Sequence, residues 1–355
     1  MKGLLLAGGH GTRLRPLTFT GNKHMIPIAN KPLLFYGLEH LVNAGIKEIF
    51  IILGPIKEGV REVIGNGSQF GAKIEYIEQP KPKGLAHAVL ISEPYIGNDS
   101  FVMYLGDNLL RQGAKPMVQT FLENKTDCVI AVKPVKDPSL YGIAEIQDGK
   151  IRRLVEKPKQ SKSDLAVIGV YVFNPTVFEA VKKIKPSWRD ELEIVDTIQY
   201  LVDHGRNVEV KFVDDCWKDT GKPDDLLEAN QLVLRDLKSV NRGLVREGAM
   251  VTGNVSIGDG TIINESTNLR GPIIVGKNCE IGPHAYIGPY TSVGDNCKIV
   301  GAELENSIVM ENVVISCRKR IVDSIIGKGA HITSADEQIP HGIRFVVGDS
   351  TYLSI

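Results

Sequence analysis

The sequence carries no excess of either charge, because 42 basic residues balance 42 acidic ones over 355 positions. That balance argues against nucleic acid or an anionic membrane as the main partner. No apolar run approaches the length of a membrane span. Five cysteines (Cys128, Cys216, Cys279, Cys297, Cys317) are scattered without a C-x-x-C pair, so neither a zinc site nor a disulfide framework is expected. Met1-Lys2-Gly3 leads straight into a strand-like run without the layout of a signal peptide. The expectation is a cytoplasmic protein.

Two further absences concern the glycine-rich stretch "LLLAGGHGTRLRPLT" at residues 4–18. A dinucleotide fingerprint needs G-x-G-x-x-G, yet Gly9-His10-Gly11 is followed by Thr12-Arg13-Leu14. An acidic residue to grip a ribose is also missing at the required distance, the nearest being Glu39. The G-K-[ST] ending of a P-loop is absent as well. What remains is a strand delivering a glycine turn with Arg13 and, ten residues later, Lys23. Backbone N–H groups in such a turn cradle phosphate oxygens, and both cations would face the same polyanion. An exposed glycine loop with incidental basic residues also fits.

What is present falls into two regions. Up to about residue 240, "KGLLLAGG", "IKEIFIILG", "AKIEYIEQP", "SFVMYLGD", "DCVIAVKPV" and "AVIGVYVFN" read as strands. "LLFYGLEHLVNAG" and "ELEIVDTIQYLVDHG" read as helices closed by glycine. Their alternation predicts a mostly parallel, Rossmann-like sheet covered on both faces. "KPDDLLEANQLVLRDLKSV" is expected to be the helix that ends this domain.

The period then changes. Val245, Val251, Ile257, Ile263, Leu269, Val275, Ile281, Ile287, Val293 and Ile299 fall six residues apart, and small residues recur four positions later. Such a hexapeptide repeat builds a parallel β-helix of triangular section, so residues 241–355 form a second domain after 1–240. After Ile299 the register slips through "VGAELENS" and recovers in part at Ile308, Val314, Ile326 and Ile332, as a loop or a distorted coil would. Cys279 and Cys297, eighteen residues apart, are expected to stack inside as buried thiols.

Other stretches carry candidate chemistry. "YLGDN" sets Asp107 at a strand's carboxyl end, where ligands sit in open α/β sheets. "WKDTG" sets Asp219 similarly, and two such carboxylates could hold a magnesium ion bridging phosphates. Either aspartate alone is more often a turn residue or a helix cap. "LVEKP" places Glu156 beside Lys157, suited to a ligand with hydroxyls and a phosphate, or to solvent. "EQPKPKGLAHA" offers the Gln79 amide to a base edge and Gly84 to a ring, unless it is only a proline-rich loop.

Taken in order, "LAGGHGTRLRPLT", "NKHMIPIANKPLL", "EQPKPKGLAHA", "LGDN", "YGIAEI", "EKP" and "WKDTG" resemble the sugar-nucleotide pyrophosphorylases over residues 1 to 240, and most closely their thymidylyltransferase members. The repeat resembles the left-handed β-helix tail of the long forms of that family. The resemblance implies a nucleotidyl transfer from dTTP, or UTP, to α-D-glucose 1-phosphate with Mg²⁺ as cofactor. It implies that Leu6, Gly8, Gly9, Gly11, Thr12, Arg13, Gln79 and Gly84 bind nucleotide, with Arg13 and Lys23 catalytic. It further implies that Asn108, Gly142, Glu156, Lys157 and Val167 bind the sugar phosphate and that Asp107 and Asp219 bind metal.

Three departures from the family pattern stand out. His10 replaces a frequent serine, His24 replaces the usual glutamine, and Leu109-Leu110-Arg111 replaces an aromatic stretch. The histidines could add polar contacts or a pH dependence near phosphates. Two rival readings are a bifunctional uridylyltransferase, whose β-helix transfers acetyl groups through His284, His331 or His341, and a non-catalytic regulatory subunit. Arg13, Lys23, Asp107 and Asp219 speak against the second. Stacked coils leave flat faces and an open end, so a homo-oligomer, trimer or tetramer, is expected.

Overall fold

The computed structural model describes the chain except at residues 58, 214–215, 335–350 and 352–355. Two compact units emerge. The first comprises Met1–His10, Gly21–Met25 and Leu33–Asp219, and the second Gly11–Thr20, Ile26–Pro32 and Thr220–Ile355.

In the first unit, strands run in the order Lys150–Glu156, Gly142–Gln147, Leu165–Phe173, Phe101–Leu105, Lys2–Ala7, Glu48–Leu53 and Lys73–Glu78. Cys128–Pro134 and Val208–Phe212 extend the sheet from Leu165–Phe173. The half around Lys2–Ala7 is parallel, whereas Leu165–Phe173 is antiparallel to its neighbours. Along the central strands side chains alternate between two cores. Leu4, Leu6, Phe50 and Ile52 join one, and Leu5, Ala7, Ile49 and Ile51 the other. Burial on both faces accounts for the nearly unbroken apolar runs, each such Leu or Ile contributing about 1.5–3 kcal/mol. The strand at Lys150–Glu156, at one edge of this path, has the backbone N–H of Leu154 capped by Gln199 Oε1 at 2.7 Å.

The second unit holds three parallel sheets of six, six and five strands wound as a left-handed β-helix. Its columns run Ile257, Val275, Val293, Val309, Ile326; Ile263, Ile281, Ile299, Ile315, Ile332; and Val251, Leu269, Ile287, Leu304, Ile321. After Ile299 no loop intervenes. The coils shorten instead, Ile287 pairing with Leu304 seventeen positions on and Val293 with Val309 sixteen on. In these columns Val309 and Ile315 take the places expected of Ile308 and Val314, whereas Ile326 and Ile332 stand as expected. Cys279 and Cys297 stack: Glu280 and Lys298, which follow them, are register partners, and both thiols are buried.

The helix Pro223–Arg235 belongs by compactness to this second unit. Asn230 explains the grouping, since its Oδ1 accepts the Ala29 N–H at 2.8 Å and its Nδ2 donates to Tyr290 O at 2.9 Å. No helix among the described residues is long and apolar enough to cross a membrane.

Candidate active site

Three strips of the first unit gather most of the candidate residues. The first lies where Phe101–Leu105 ends. Leu6, buried on the neighbouring strand, accepts the Gly106 N–H at 2.9 Å. A Cβ on Gly106 would lie 2.7 Å from Leu6 O and 2.5 Å from Leu34 Cδ1, so only glycine fits before Asp107. The Asp107 carboxylate is bonded to Lys23 Nζ by its Oδ2 and accepts Asn108 Nδ2 at 2.9 Å by its Oδ1. Burial alone would raise its pKa, yet the charge of Lys23 and the two hydrogen bonds prevail and hold it below the usual carboxylate range.

Asn108 is buried and already engaged. Its Oδ1 accepts the Trp217 indole N–H at 2.6 Å and the Gly169 N–H at 3.2 Å. Its amide therefore also orients Asp107. The antiparallel pairing of Trp217–Asp219 with Asn108–Leu110 puts Asp219 opposite Asn108, one residue from Asp107. Two hard carboxylates, one on the paired strand and one in the turn just before its partner, fit Mg²⁺, which takes one or two of them and completes its shell with phosphate oxygens and water. Among the described residues there is no group of three or more such ligands, so phosphates would have to supply the rest.

Lys23 is placed by Asn22, a residue the sequence did not single out. Asn22 Nδ2 donates to Ala7 O at 3.1 Å and to Ile56 O at 2.6 Å. Its Oδ1 accepts both the backbone N–H of His24 at 2.9 Å and the His24 Nδ1–H at 2.7 Å. Burial first, then the Lys23 charge, lowers the His24 pKa to about 3 against the opposing pull of Asp107. His24 is therefore a neutral prop and brings no titration near neutral pH. His10 is exposed.

The second strip faces the glycine turn. Gly9 has φ +95, and a Cβ on Gly54 would sit 2.8 Å from Gly9 N, so the turn passes tightly over Gly54. Gln79 is buried, with Nε2 donating to His87 Nδ1 at 2.9 Å and to Gly84 O at 3.3 Å. Its Oε1 points to Gly8, 3.4 Å from where a Cβ would stand. Burial, then Lys83, lowers the His87 pKa, which keeps the ring neutral and its Nδ1 an acceptor. Gly84 (φ +98) is a glycine because Leu192 O would lie 2.3 Å from a Cβ, a packing reason the sequence could not reveal.

The third strip is the mouth of the hairpin between Gly142–Gln147 and Lys150–Glu156, where Gly142 pairs with Glu156. A Cβ on Gly142 would meet Val195 Cγ2 at 2.5 Å and Glu156 Oε2 at 3.0 Å. Lys157 adopts φ +42, a left-handed conformation costly for lysine and typical of functional sites; its N–H donates to Tyr141 O at 3.0 Å. Glu156 Oε1 lies 3.7 Å from Lys157 Nζ and 3.4 Å from Arg189 Nη1. Burial first, then Glu193, raises the Glu156 pKa to about 6, opposed by Lys157 and Arg189. Val167 is buried on the adjacent strand, whose Ala166 pairs with Ile143.

Gly11, Thr12 and Arg13 fall in the second unit. Gly11 (φ +58) starts a short 3₁₀ turn over Thr12–Leu14, and the Arg13 guanidinium lies about 3.2–3.4 Å from where a Cβ on Gly221 would stand. His284 and His331 are exposed on the coils, and His341 lies outside the described residues.

The chain belongs to the nucleotidyl transferase family, whose model matches residues 2–236, and residues 269–339 match the GMPPB C-terminal domain. It is 46% identical to the glucose-1-phosphate thymidylyltransferase of Streptomyces antibioticus, over 100% of this chain and 99% of that one. It is also 46% identical to the low-salt glycan biosynthesis nucleotidyltransferase Agl11 of Haloferax volcanii, over 100% of both. A crystal structure from Bacillus anthracis, assigned as a glucose-1-phosphate thymidylyltransferase in complex with sucrose, matches with TM-score 0.63 and 37% identity. That match covers 68% of this chain and 98% of the other.

Proposed function

We propose that the protein is an enzyme that joins dTTP and α-D-glucose 1-phosphate into dTDP-glucose with release of pyrophosphate. The observation that carries this reading is the Lys23–Asp107–Asp219 constellation beside a glycine turn, in a chain alike over its whole length to a thymidylyltransferase.

The nucleophile is a phosphate oxygen, already an anion, so the reaction needs no general base. The protein must bring two polyanions together and offset charge at the α-phosphorus as the oxygen attacks in line. In this reading the N–H groups of Gly8, Gly9, Gly11 and Thr12 cradle the triphosphate, with Leu6 beneath. Arg13 takes the departing pyrophosphate, and Lys23 neutralises the α-phosphate. Asp107 and Asp219 would hold Mg²⁺, which when bound offsets phosphate charge. Lys157 binds the sugar phosphate, while Glu156, Gly142, Asn108 and Val167 line the hexose.

Base selection follows from the Gln79 amide. With Nε2 fixed by His87 and Gly84, the Oε1 acceptor suits the N3–H of thymine or uracil and opposes the lone pair of cytosine N3. The methyl group of thymine is worth only about 1–3 kcal/mol, so UTP would serve as a weaker substrate.

The reading includes a catalytic domain to about residue 240, a β-helix from 241, a cytoplasmic setting, and self-association as a trimer or tetramer. Pyrophosphate release should be assayed with dTTP, UTP, CTP, ATP and GTP against glucose, glucosamine and N-acetylglucosamine 1-phosphates. Highest kcat/KM with dTTP and glucose 1-phosphate supports the proposal, and no turnover with that pair refutes it. Acetyl-CoA consumption tests the bifunctional alternative. A monomer by light scattering at micromolar concentration would contradict the assembly.

A further inference from the structure

One large aromatic side chain has no part in the reading above. Trp188 is 83% exposed, more than any other large apolar side chain among the described residues. An indole left this open to water usually meets a ligand or a partner. The segment that carries it is a braced turn. Ser187 N–H donates to Glu191 O at 2.8 Å, and Asp190 N–H donates to Ser187 O at 3.0 Å. Ser187 Oγ donates to Glu193 Oε1 at 2.8 Å and accepts the Arg189 N–H at 3.1 Å.

The anchors of this turn decide where its backbone stands. On one side Arg189 Nη1 reaches Glu156 Oε1 at 3.4 Å, in the strip read above as the sugar-phosphate site. On the other, Leu192 N–H donates to Lys83 O at 2.8 Å and Leu192 O accepts the Ala86 N–H at 3.0 Å. Those bonds clamp the turn to the segment that starts at Gln79 and Gly84. The turn that carries Trp188 is therefore tied both to the strip for the hexose and to the strip for the base.

A flat apolar face suits a pyranose there. A sugar ring presents C–H groups on its faces and hydroxyls at its rim, so an aromatic ring takes the face while charged side chains take the rim and the phosphate. We propose that Trp188 is a sugar-binding side chain of this site, stacking on the hexose ring of the sugar 1-phosphate and of the sugar nucleotide product. This rests on the thymidylyltransferase reading and adds to it a residue that selects for a ring with an apolar face.

The test compares wild type, Trp188→Ala and Trp188→Phe. The alanine variant should raise KM for glucose 1-phosphate roughly three- to ten-fold, with kcat and KM for dTTP changed less than about two-fold. Phenylalanine should restore most of the affinity. In wild type, dTDP-glucose should shield an indole from acrylamide quenching more than dTDP does, and that difference should vanish in Trp188→Phe. An active alanine variant with unchanged KM for glucose 1-phosphate overturns the proposal and leaves the reaction assignment intact. A drop in molecular mass of Trp188→Ala by light scattering also overturns it, assigning the indole to a subunit contact. A wild type that turns over no pair of nucleotide and sugar phosphate overturns both.

Discussion

Lys23 and Asp107, 84 positions apart in the chain, are joined in a half-buried ion pair at the end of the strand Phe101–Leu105. Each is held by its own support, Lys23 through the Asn22 network and Asp107 through Asn108. Such pre-set charge is what a reaction between two anions requires. Lys23→Ala and Asp107→Ala should each lower kcat/KM by about 100-fold or more. Both variants should still fold, because each group retains some access to water. Pyrophosphate release alongside thermal melts by circular dichroism checks this, and near-wild-type kinetics in either variant would refute the assignment.

Glu156 gives a pH signature. Its carboxyl is raised from 4.5 to about 6, so the folded protein holds this proton more tightly than the unfolded chain does. That contribution is fully present below pH 4.5 and is lost as pH rises through about 6. At about pH 8 the buried carboxylate costs the fold about 2 kcal/mol. Glu156→Gln should therefore raise the melting temperature at about pH 8, gain little at about pH 4.5, and weaken glucose 1-phosphate binding. A stability gain of equal size at both pH values would contradict the argument.

His87 is expected to act on base choice through Gln79. Without the imidazole acceptor, 2.9 Å from Gln79 Nε2, the amide gains freedom to turn over. His87→Ala should lower the dTTP-to-CTP ratio of kcat/KM by about ten-fold, the worth of one neutral hydrogen bond. Competition assays with the two nucleotides would show an unchanged ratio if Gln79 were held otherwise.

Gly84→Ala should destabilise the fold by about 2–4 kcal/mol, since the left-handed backbone and the Leu192 carbonyl both resist a Cβ. Gly142→Ala presses instead on side-chain atoms of Val195 and Glu156. It should cost less stability and raise KM for the sugar phosphate. Urea denaturation and initial rates separate the two outcomes.

Much of this was legible in the sequence because it repeats or alternates. Of the hexad positions up to Ile299, the eight from Ile257 onward are buried, Val245 is partly buried and Val251 is exposed, and the six apolar runs named their strands. Of the hairpin Gly142–Gln147 and Lys150–Glu156 only the end at Glu156 was legible, because "GIAEIQDGKIRRLVE" mixes charge with apolar residues. Asp107, Lys23 and Gln79 stood out in the sequence as charged or amide groups near glycines. Asn22, His87 and Arg189 were not, because their roles lie in bonds to residues distant in sequence or in a turn without a motif. The bond that steadies Asn108 was hidden for the same reason, its Trp217 partner standing 109 positions away.

The shortened coils above Ile299 say something about how this prism tolerates change. Each face is fixed to the one below by its own backbone bonds, so the missing residues come out of the corners alone. Faces act as treads of a staircase and corners as landings that can be trimmed. Inheritance can thus add or drop a residue at a landing while every tread keeps its place, whereas the same loss within a tread would turn a whole column inside out.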